Sequence, residues 1–174
     1  MTKNKLRQLW ARLGIPADYS RARKMPLQRE AKRLVRAGRA PDDGKPVQLA
    51  PRAATAWRRM QAAAGRDGVI LLPLSGFRSI ARQTRIIRAN LAKGRPLDDL
   101  LRYVAAPGCS EHHTGRALDI GSPQNRRHFE EDFDRTPEFR WLKRHAHRFG
   151  FRLSYPRRNP HRIGYEPWHW FYDR

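Results

Sequence analysis

The sequence predicts an α+β domain in which helices flank a small antiparallel sheet. Runs with helical periodicity begin at Pro51 and at Thr136. Short apolar runs bounded by turn residues, such as residues 69–75 and 116–120, are typical of strands. These helices and strands do not alternate regularly, as they would in a parallel sheet built from strand–helix–strand units.

Length and composition are those of a single domain with its own core. The chain has 174 residues, of which 39% are hydrophobic, and five tryptophans and seven phenylalanines can anchor that core. Its single cysteine, Cys109, excludes an internal disulfide framework and a cysteine-based zinc site. No apolar run approaches the roughly 18 residues that a membrane span needs.

The charge of the chain is extreme. Its 37 lysines and arginines stand against 16 acidic residues, for a formal net charge of +21. Such a balance predicts attraction to polyanions, which include nucleic acid, anionic lipid and acidic wall polymers. An arginine-rich composition can also reflect a GC-rich genome, and the sequence leaves both explanations open.

Residues 1–46 are predicted to form a basic, mostly helical extension that precedes a domain over residues 47–174. A first helix is indicated by apolar residues at helical spacing, namely Leu6, Leu9, Trp10 and Leu13. A second helix is expected from about Leu27 to Ala37, ended by Gly38, and residues 40–46 are expected to form a turn or linker.

The domain itself is predicted to contain three helices and four strands. Pro51 suits the first turn of a helix, and its buried face is expected to comprise Ala50, Ala53, Ala54, Trp57, Met60 and Ala64. Ser79 can cap a helix that ends near Leu91, and a third helix ends at Gly150. Strands are expected at residues 69–75, 116–120, 151–155 and 163–172.

Two segments, residues 110–119 and 166–169, contain side chains that suit a catalytic zinc site. Such a site takes three protein ligands and keeps one position open for water, and His112, Asp119 and His169 provide imidazole nitrogens and a carboxylate. His112 and Asp119 would lie about 23 Å apart in one straight strand, so the chain must fold back between them. Gly115 is the residue best able to form that turn.

Spacing alone leaves the metal site as one interpretation among others, because a histidine beside a turn is usually ordinary polar surface. We expect four other histidines to be ordinary polar surface, namely His128, His145, His147 and His161. His113 adjoins the motif and could support a neighbouring ligand. Glu166 lies three residues before His169, and Pro167 restricts it to extended conformations, which would place a carboxylate near the metal.

Three short motifs follow one another in a fixed order along the chain. The block S-G-F-R-S occupies residues 75–79 and is followed by Gln83. The pattern S-x-H-x-x-G-x-A-x-D followed by E-x-W-H is matched at Ser110, His112, Gly115, Ala117, Asp119, Glu166, Trp168 and His169. Together these blocks resemble the zinc D-alanyl-D-alanine carboxypeptidases of the vancomycin-resistance type and the related L-alanyl-D-glutamate endopeptidases. The resemblance covers roughly residues 47–172 and implies a Hedgehog/D,D-peptidase-like zinc peptidase fold.

The resemblance also implies roles for individual residues. It makes His112, Asp119 and His169 the ligands of one zinc ion and Glu166 the general base. Arg78 would stabilise the developing oxyanion, because its guanidinium is always charged. The residues that would contact substrate are Ser110, Gln83 and Trp168, although Trp168 could equally pack behind a ligand. The implied substrate is the peptide stem of bacterial peptidoglycan.

Several alternatives stay open at this point. Ser154 stands where an arginine is common in the family, and the sequence identifies no residue for a substrate carboxylate. Carboxypeptidase action is favoured over endopeptidase action. A nucleic-acid binder would explain the charge, but no nucleic-acid-binding motif is present. A wall-binding module without catalysis is disfavoured by the presence of both Glu166 and Arg78.

The N-terminus and the implied substrate point to different locations for the protein. The N-terminus is basic but lacks the apolar segment of about 7–15 residues of a secretory signal, which predicts a cytoplasmic product. Peptidoglycan lies outside the cytoplasmic membrane, so we expect holin-type release or a dedicated secretion machine. Residues 1–46 could then bind anionic wall polymer or lipid, and we expect a monomer.

Overall fold

A computed structural model describes residues 1–124 and 129–174. The helices are α1 (Lys3–Leu13), α2 (Tyr19–Ala22), α3 (Pro51–Arg66), α4 (Ile80–Ala92), α5 (Leu97–Leu100) and α6 (Pro137–His145). The strands are β1 (Val35–Arg39), β2 (Pro46–Leu49), β3 (Leu72–Ser75), β4 (Ala117–Gly121), β5 (Phe151–Leu153) and β6 (His169–Tyr172). Short 3₁₀ turns cover Glu111–Thr114, Glu131–Arg135 and Ala146–Phe149.

Strands β3 to β6 form the sheet that carries the site. Their order is β3-β4-β6-β5, and every neighbouring pair is antiparallel. Strands β1 and β2 form a separate antiparallel hairpin. The α+β class with a small antiparallel sheet is therefore confirmed.

Helix α3 buries the face that its periodicity predicts, except that Ala50 is its half-buried N-cap. Its buried residues are Ala53, Ala54, Trp57, Met60 and Ala64. They belong to a core that also contains residues of β4, β6 and α6, such as Leu118, Trp170 and Leu142. The indole Nε1–H of Trp57 donates to the carbonyl of Ala37 at 3.1 Å, which satisfies a polar group inside an apolar core.

The N-terminal helix is packed against the middle of the chain. Its residues Leu6, Trp10 and Leu13 share a second core with Ile87 and Leu100. The indole Nε1–H of Trp10 donates to the carbonyl of Pro107 at 2.8 Å. Residues 1–46 thus contribute side chains to the folded body, and the boundary at residue 46 stays a prediction from sequence.

The prediction of a helix from about Leu27 to Ala37 is wrong. Residues 26–34 are irregular, and Val35–Arg39 form strand β1 instead. The backbone N–H groups of Gln28 and Ala31 donate to the carbonyls of Gly108 and His113, at 2.7 and 2.8 Å. These long-range bonds take the place of the hydrogen bonds that a helix would make within itself.

The last strand is shorter than the expected residues 163–172. Only His169–Tyr172 pair in the sheet, and the backbone N–H of His169 donates to the carbonyl of Glu166 in a turn. Pro167 has no N–H to donate to a ladder, which explains why the strand begins after it. Within the described ranges, no helix has the length and apolar composition needed to cross a membrane.

Candidate metal centre

The structure brings His112, Asp119 and His169 together in a buried group. One ligand atom from each of the three lies within 4.8 Å of the others. His112 lies in a 3₁₀ turn, Asp119 in β4 and His169 in β6. The three residues that the family motifs single out as ligands are therefore neighbours in space.

The sheet register places two of these residues side by side. Asp119 and His169 are direct partners in the antiparallel β4–β6 pair. Directly opposite residues in such a pair project from the same face of the sheet, so both side chains enter the same space. The third residue, His112, is brought over them by the turn that precedes β4.

Gly115 makes that turn possible. It ends the 3₁₀ turn in the left-handed region, with φ of 65°. A Cβ atom at this position would also lie 2.9 Å from the backbone nitrogen of Ala50. Both its conformation and its close contact require glycine, which agrees with the pivot expected from the sequence.

The ring of His112 is oriented by the chain that follows β3. Its Nδ1 lies 2.7 Å from the carbonyl oxygen of Gly76, which can only accept, so Nδ1 carries the proton. Its Nε2 lies 3.2 Å from Oδ2 of Asp119. Because Nδ1 is held by Gly76, Nε2 is the ring nitrogen that can bind a metal, and it faces the shared space.

The ring of His169 lies between two carboxylates. Its Nδ1 lies 3.1 Å from Oδ1 of Asp119, and its Nε2 lies 2.9 Å from Oε2 of Glu111. Hydrogen bonds with both acids outweigh burial and raise the pKa of His169 to about 10 in the metal-free protein. Sequence analysis missed Glu111, although its position next to His112 in the motif was a signal.

The chemistry of these donors suits zinc. Burial alone would raise the pKa of Asp119, but the charges and hydrogen bonds of His112 and His169 outweigh it and lower that pKa. An ionised carboxylate with two imidazoles is a ligand set of catalytic zinc sites. No thiolate takes part, since Cys109 lies outside the group and burial raises its pKa to about 12.

Glu166 lies beside the group without belonging to it. Its Oε2 is 3.8 Å from Nδ1 of His169, and the residue is buried. Burial raises the pKa of Glu166 to about 8, against the opposing charge of His169. A carboxylate with a pKa near neutrality can both accept and return a proton.

Arg78 reaches the same space from the segment between β3 and α4. Its backbone N–H donates to the carbonyl of His112 at 3.2 Å, which ties it to the ligand turn. Its Nε is buried and has no hydrogen-bond partner in the described structure. Burial lowers the pKa of Arg78, and the negative charges of Asp119 and Glu166 counteract that effect.

The three substrate-contact candidates differ in what they offer. Ser110 and Gln83 are buried and line the cleft. The Nε2 of Gln83 donates to the carbonyl of Ala105 at 2.6 Å, while its buried Oε1 accepts from no described residue. Trp168 lines the cleft, where its ring meets that of the exposed Phe129 edge to face, and it also packs into the main core.

The other histidines lie outside the metal group. His113 is buried; its Nε2 accepts from the backbone N–H of Gly108 at 3.0 Å, and its Nδ1 donates to the carbonyl of Arg78. It therefore holds the backbone at Arg78, consistent with a supporting role. Of the histidines predicted to be polar surface, three are partly or fully exposed, namely His145, His147 and His161. The fourth, His128, lies outside the described residues.

Ser154, where the family commonly has arginine, faces Glu111. Its hydroxyl donates to Oε2 of Glu111 at 2.6 Å. The guanidinium of Arg152, two residues earlier, lies 3.2 Å from Oε1 of the same carboxylate. Arg152 thus supplies a cation at this place, and its partner is a protein carboxylate.

A cleft of about 790 Å³ collects these side chains. Its wall includes the metal group, Glu166, Arg78 and the substrate-contact candidates, with the β1–β2 turn on one side and residues 129–131 on another. The volume falls within the range of about 300–1,000 Å³ that is typical of small-ligand sites.

Comparisons with known proteins agree with this geometry. Residues 46–173 match the family model described as VanY: D-alanyl-D-alanine carboxypeptidase. A putative carboxypeptidase of Bacillus subtilis (strain 168), YodJ, is 37% identical over 119 residues. That match covers 67% of this chain and 43% of the relative, so the chain spans less than half the length of YodJ.

Solved structures show the same fold. The LD-carboxypeptidase LdcB superposes with a TM-score of 0.74 at 33% identity, covering 84% of this chain and 71% of LdcB. A variant of the D,D-pentapeptidase VanY in complex with Zn(II) superposes with a TM-score of 0.63 at 27% identity, covering 85% of this chain and 82% of that one. This chain therefore belongs to the VanY family of D-alanyl-D-alanine carboxypeptidases.

Proposed function

We propose that the protein is a zinc-dependent carboxypeptidase that removes the terminal D-alanine from the D-alanyl-D-alanine end of peptidoglycan stem peptides. The observation that carries the proposal is the buried His112, Asp119 and His169 group, with Glu166 3.8 Å from His169 in the same cleft. Family membership supports the substrate class.

His112 would bind zinc through Nε2, Asp119 through a carboxylate oxygen and His169 through Nδ1. When bound, zinc polarises a carbonyl oxygen and lowers the pKa of bound water to about 7. Glu166 accepts a proton at its carboxylate as the water oxygen bonds to the scissile carbonyl carbon. The same carboxyl group then gives that proton to the amide nitrogen as the C–N bond breaks, so one residue serves as base and then acid.

Arg78 and Gln83 would position the substrate. The unpartnered Nε of Arg78 can donate to the oxygen that gains negative charge during attack. The unpartnered Oε1 of Gln83 can accept from a substrate N–H, and Ser110 can bond beside it. Buried polar atoms without partners are costly in a folded protein, and a bound peptide would satisfy both.

Mass spectrometry of muropeptide products tests the proposal. Zinc-loaded protein should convert a pentapeptide stem ending in D-Ala-D-Ala to the tetrapeptide, with loss of one alanine. The similarity to LdcB favours a second candidate, in which the tetrapeptide loses its D-alanine to give the tripeptide. A cut next to D-glutamate would indicate an endopeptidase, and intact stems of every length would contradict all three activities.

We also propose that the protein acts as a monomer on the wall, outside the cytoplasmic membrane. It would get there by holin-type release or by a dedicated secretion machine. Three exposed basic residues in the first half of α1, Lys3, Lys5 and Arg7, would contact anionic wall polymer or lipid. Their joint replacement by glutamine should weaken sedimentation with purified sacculi and leave the melting temperature unchanged. Unchanged sedimentation would count against this role.

A further inference from the structure

We propose that Glu111 is a positioning residue that keeps the ring proton of His169 on Nε2 and thereby presents Nδ1 to the metal. The proposal rests on the metal site of the proposed function and assigns a role to a residue outside the ligand set. An imidazole can bind metal through either nitrogen, and the hydrogen bond at the other nitrogen decides which one.

The contacts of His169 distinguish its two nitrogens. Nδ1 lies 3.1 Å from Asp119 and 3.8 Å from Glu166, so it faces the ligand group. Nε2 lies 2.9 Å from Oε2 of Glu111, on the other side of the ring. An ionised carboxylate can only accept, so a hydrogen bond to Glu111 requires the proton on Nε2.

Glu111 is itself held in place. Its Oε2 also accepts from the hydroxyl of Ser154 at 2.6 Å, and its Oε1 lies 3.2 Å from the guanidinium of Arg152. Arg152 in turn pairs with Asp173 at 3.0 Å. The side chain of Glu111 is 13% exposed, so Ser154, Arg152 and His169 rather than water fix its position.

The two histidine ligands are oriented in different ways. The Nδ1–H of His112 is held by the backbone carbonyl of Gly76, which no side-chain substitution removes. His169 depends instead on the Glu111 side chain. Because Glu111 and His112 are adjacent in one 3₁₀ turn, that turn supplies one ligand and orients another that is 58 residues away.

Zinc affinity of the variant Glu111→Ala tests the proposal, measured by competition with a chromophoric chelator. Loss of a partner that orients a metal ligand weakens metal binding by roughly 10- to 100-fold, and we expect that loss. Glu111→Gln keeps an acceptor oxygen and should recover part of the affinity. Ser154→Ala, which leaves the contact between Glu111 and His169 in place, should lose less than Glu111→Ala.

A nitrogen-15 NMR spectrum of the histidine rings gives a readout that a merely structural role would not change. In the zinc-loaded protein His169 should carry its proton on Nε2, and in zinc-loaded Glu111→Ala the Nε2 resonance should shift because its hydrogen bond to Glu111 is gone. Asp18→Asn serves as the matched control, because Asp18 is an exposed carboxylate near the N-terminus. It should change neither the zinc affinity nor the His169 spectrum.

Two results would overturn the proposal. The first is that folded Glu111→Ala binds zinc as tightly as the unchanged chain and gives the same His169 spectrum. If the alanine variant does not fold, the same result for Glu111→Gln would count. The other is a zinc-loaded protein whose His169 is protonated on Nδ1. Neither measurement needs hydrolysis, so failure of the proposed peptidase activity would be seen separately.

Discussion

Replacement of Glu166 by glutamine should make the metal-free protein more stable at neutral pH while it abolishes hydrolysis. Glu166 is buried, and burial raises its pKa from 4.5 to about 8. Below pH 4.5 the carboxyl is protonated in both the folded and the unfolded chain. As the pH rises towards 8, the unfolded chain releases the proton and the folded chain keeps it, so the free energy of unfolding falls.

The size of the effect follows from the interval between the two pKa values. Between pH 4.5 and 7 the folded chain retains a proton that the unfolded chain has lost. At about 1.4 kcal/mol for each pH unit, this interval costs at most about 3 kcal/mol at pH 7. Glutamine is neutral at every pH, so Glu166→Gln should raise the melting temperature by up to roughly 6–12 °C.

Thermal unfolding of metal-free protein at pH 5 and pH 7 provides the assay. The stabilisation by Glu166→Gln should be small at pH 5 and larger at pH 7. Glu111→Gln should instead lower the melting temperature. Hydrogen bonds and charges outweigh the burial of Glu111 and lower its pKa, so its ionised form stabilises the fold. A Glu166→Gln variant that melts no higher at pH 7 than the unchanged chain would refute the reasoning, as would near-normal hydrolysis by its zinc-loaded form.

Other substitutions test separate parts of the structure. His169→Ala should lose zinc on dialysis, and retained zinc by metal analysis would contradict its role as a ligand. Gly115→Ala should lower the free energy of urea unfolding by about 1–3 kcal/mol, because its φ is 65° and its Cβ would lie 2.9 Å from the Ala50 nitrogen. Leu6→Ala should cost about 2–5 kcal/mol in the same assay if α1 belongs to the folded body. Burial lowers the pKa of His113 to about 4, so stability should fall as pH decreases from 6.5 to 4, and His113→Gln should flatten that dependence.

Local patterns in the sequence predicted the elements whose environment is simple. Pro51 and the spacing of Trp57 and Met60 predicted α3, because a helix that packs on one core face shows its period directly. Ser79 predicted the start of α4, and its side chain accepts from the backbone N–H of Arg82 at 3.1 Å. The metal ligands were predicted through the family resemblance of their short, ordered motifs, since spacing alone left the metal site open.

Contacts between distant segments could not be predicted in this way. The segment after Leu27 has a helical composition, yet its N–H groups bond to carbonyls of residues about eighty positions away. Glu111 was missed for a related reason. Its role depends on β6 lying beside the ligand turn, and its position next to His112 in the motif does not show that contact with His169.

Diffraction from crystals of the zinc-loaded protein, with data on both sides of the zinc absorption edge, tests the central claim most directly. We expect one anomalous peak per chain, bound by Nε2 of His112, a carboxylate oxygen of Asp119 and Nδ1 of His169, at the zinc–ligand distances of about 2.0–2.2 Å that nitrogen and oxygen ligands give. A peak at Cys109, or a peak that leaves out any one of the three ligands, would contradict the metal site from which the proposed activity follows.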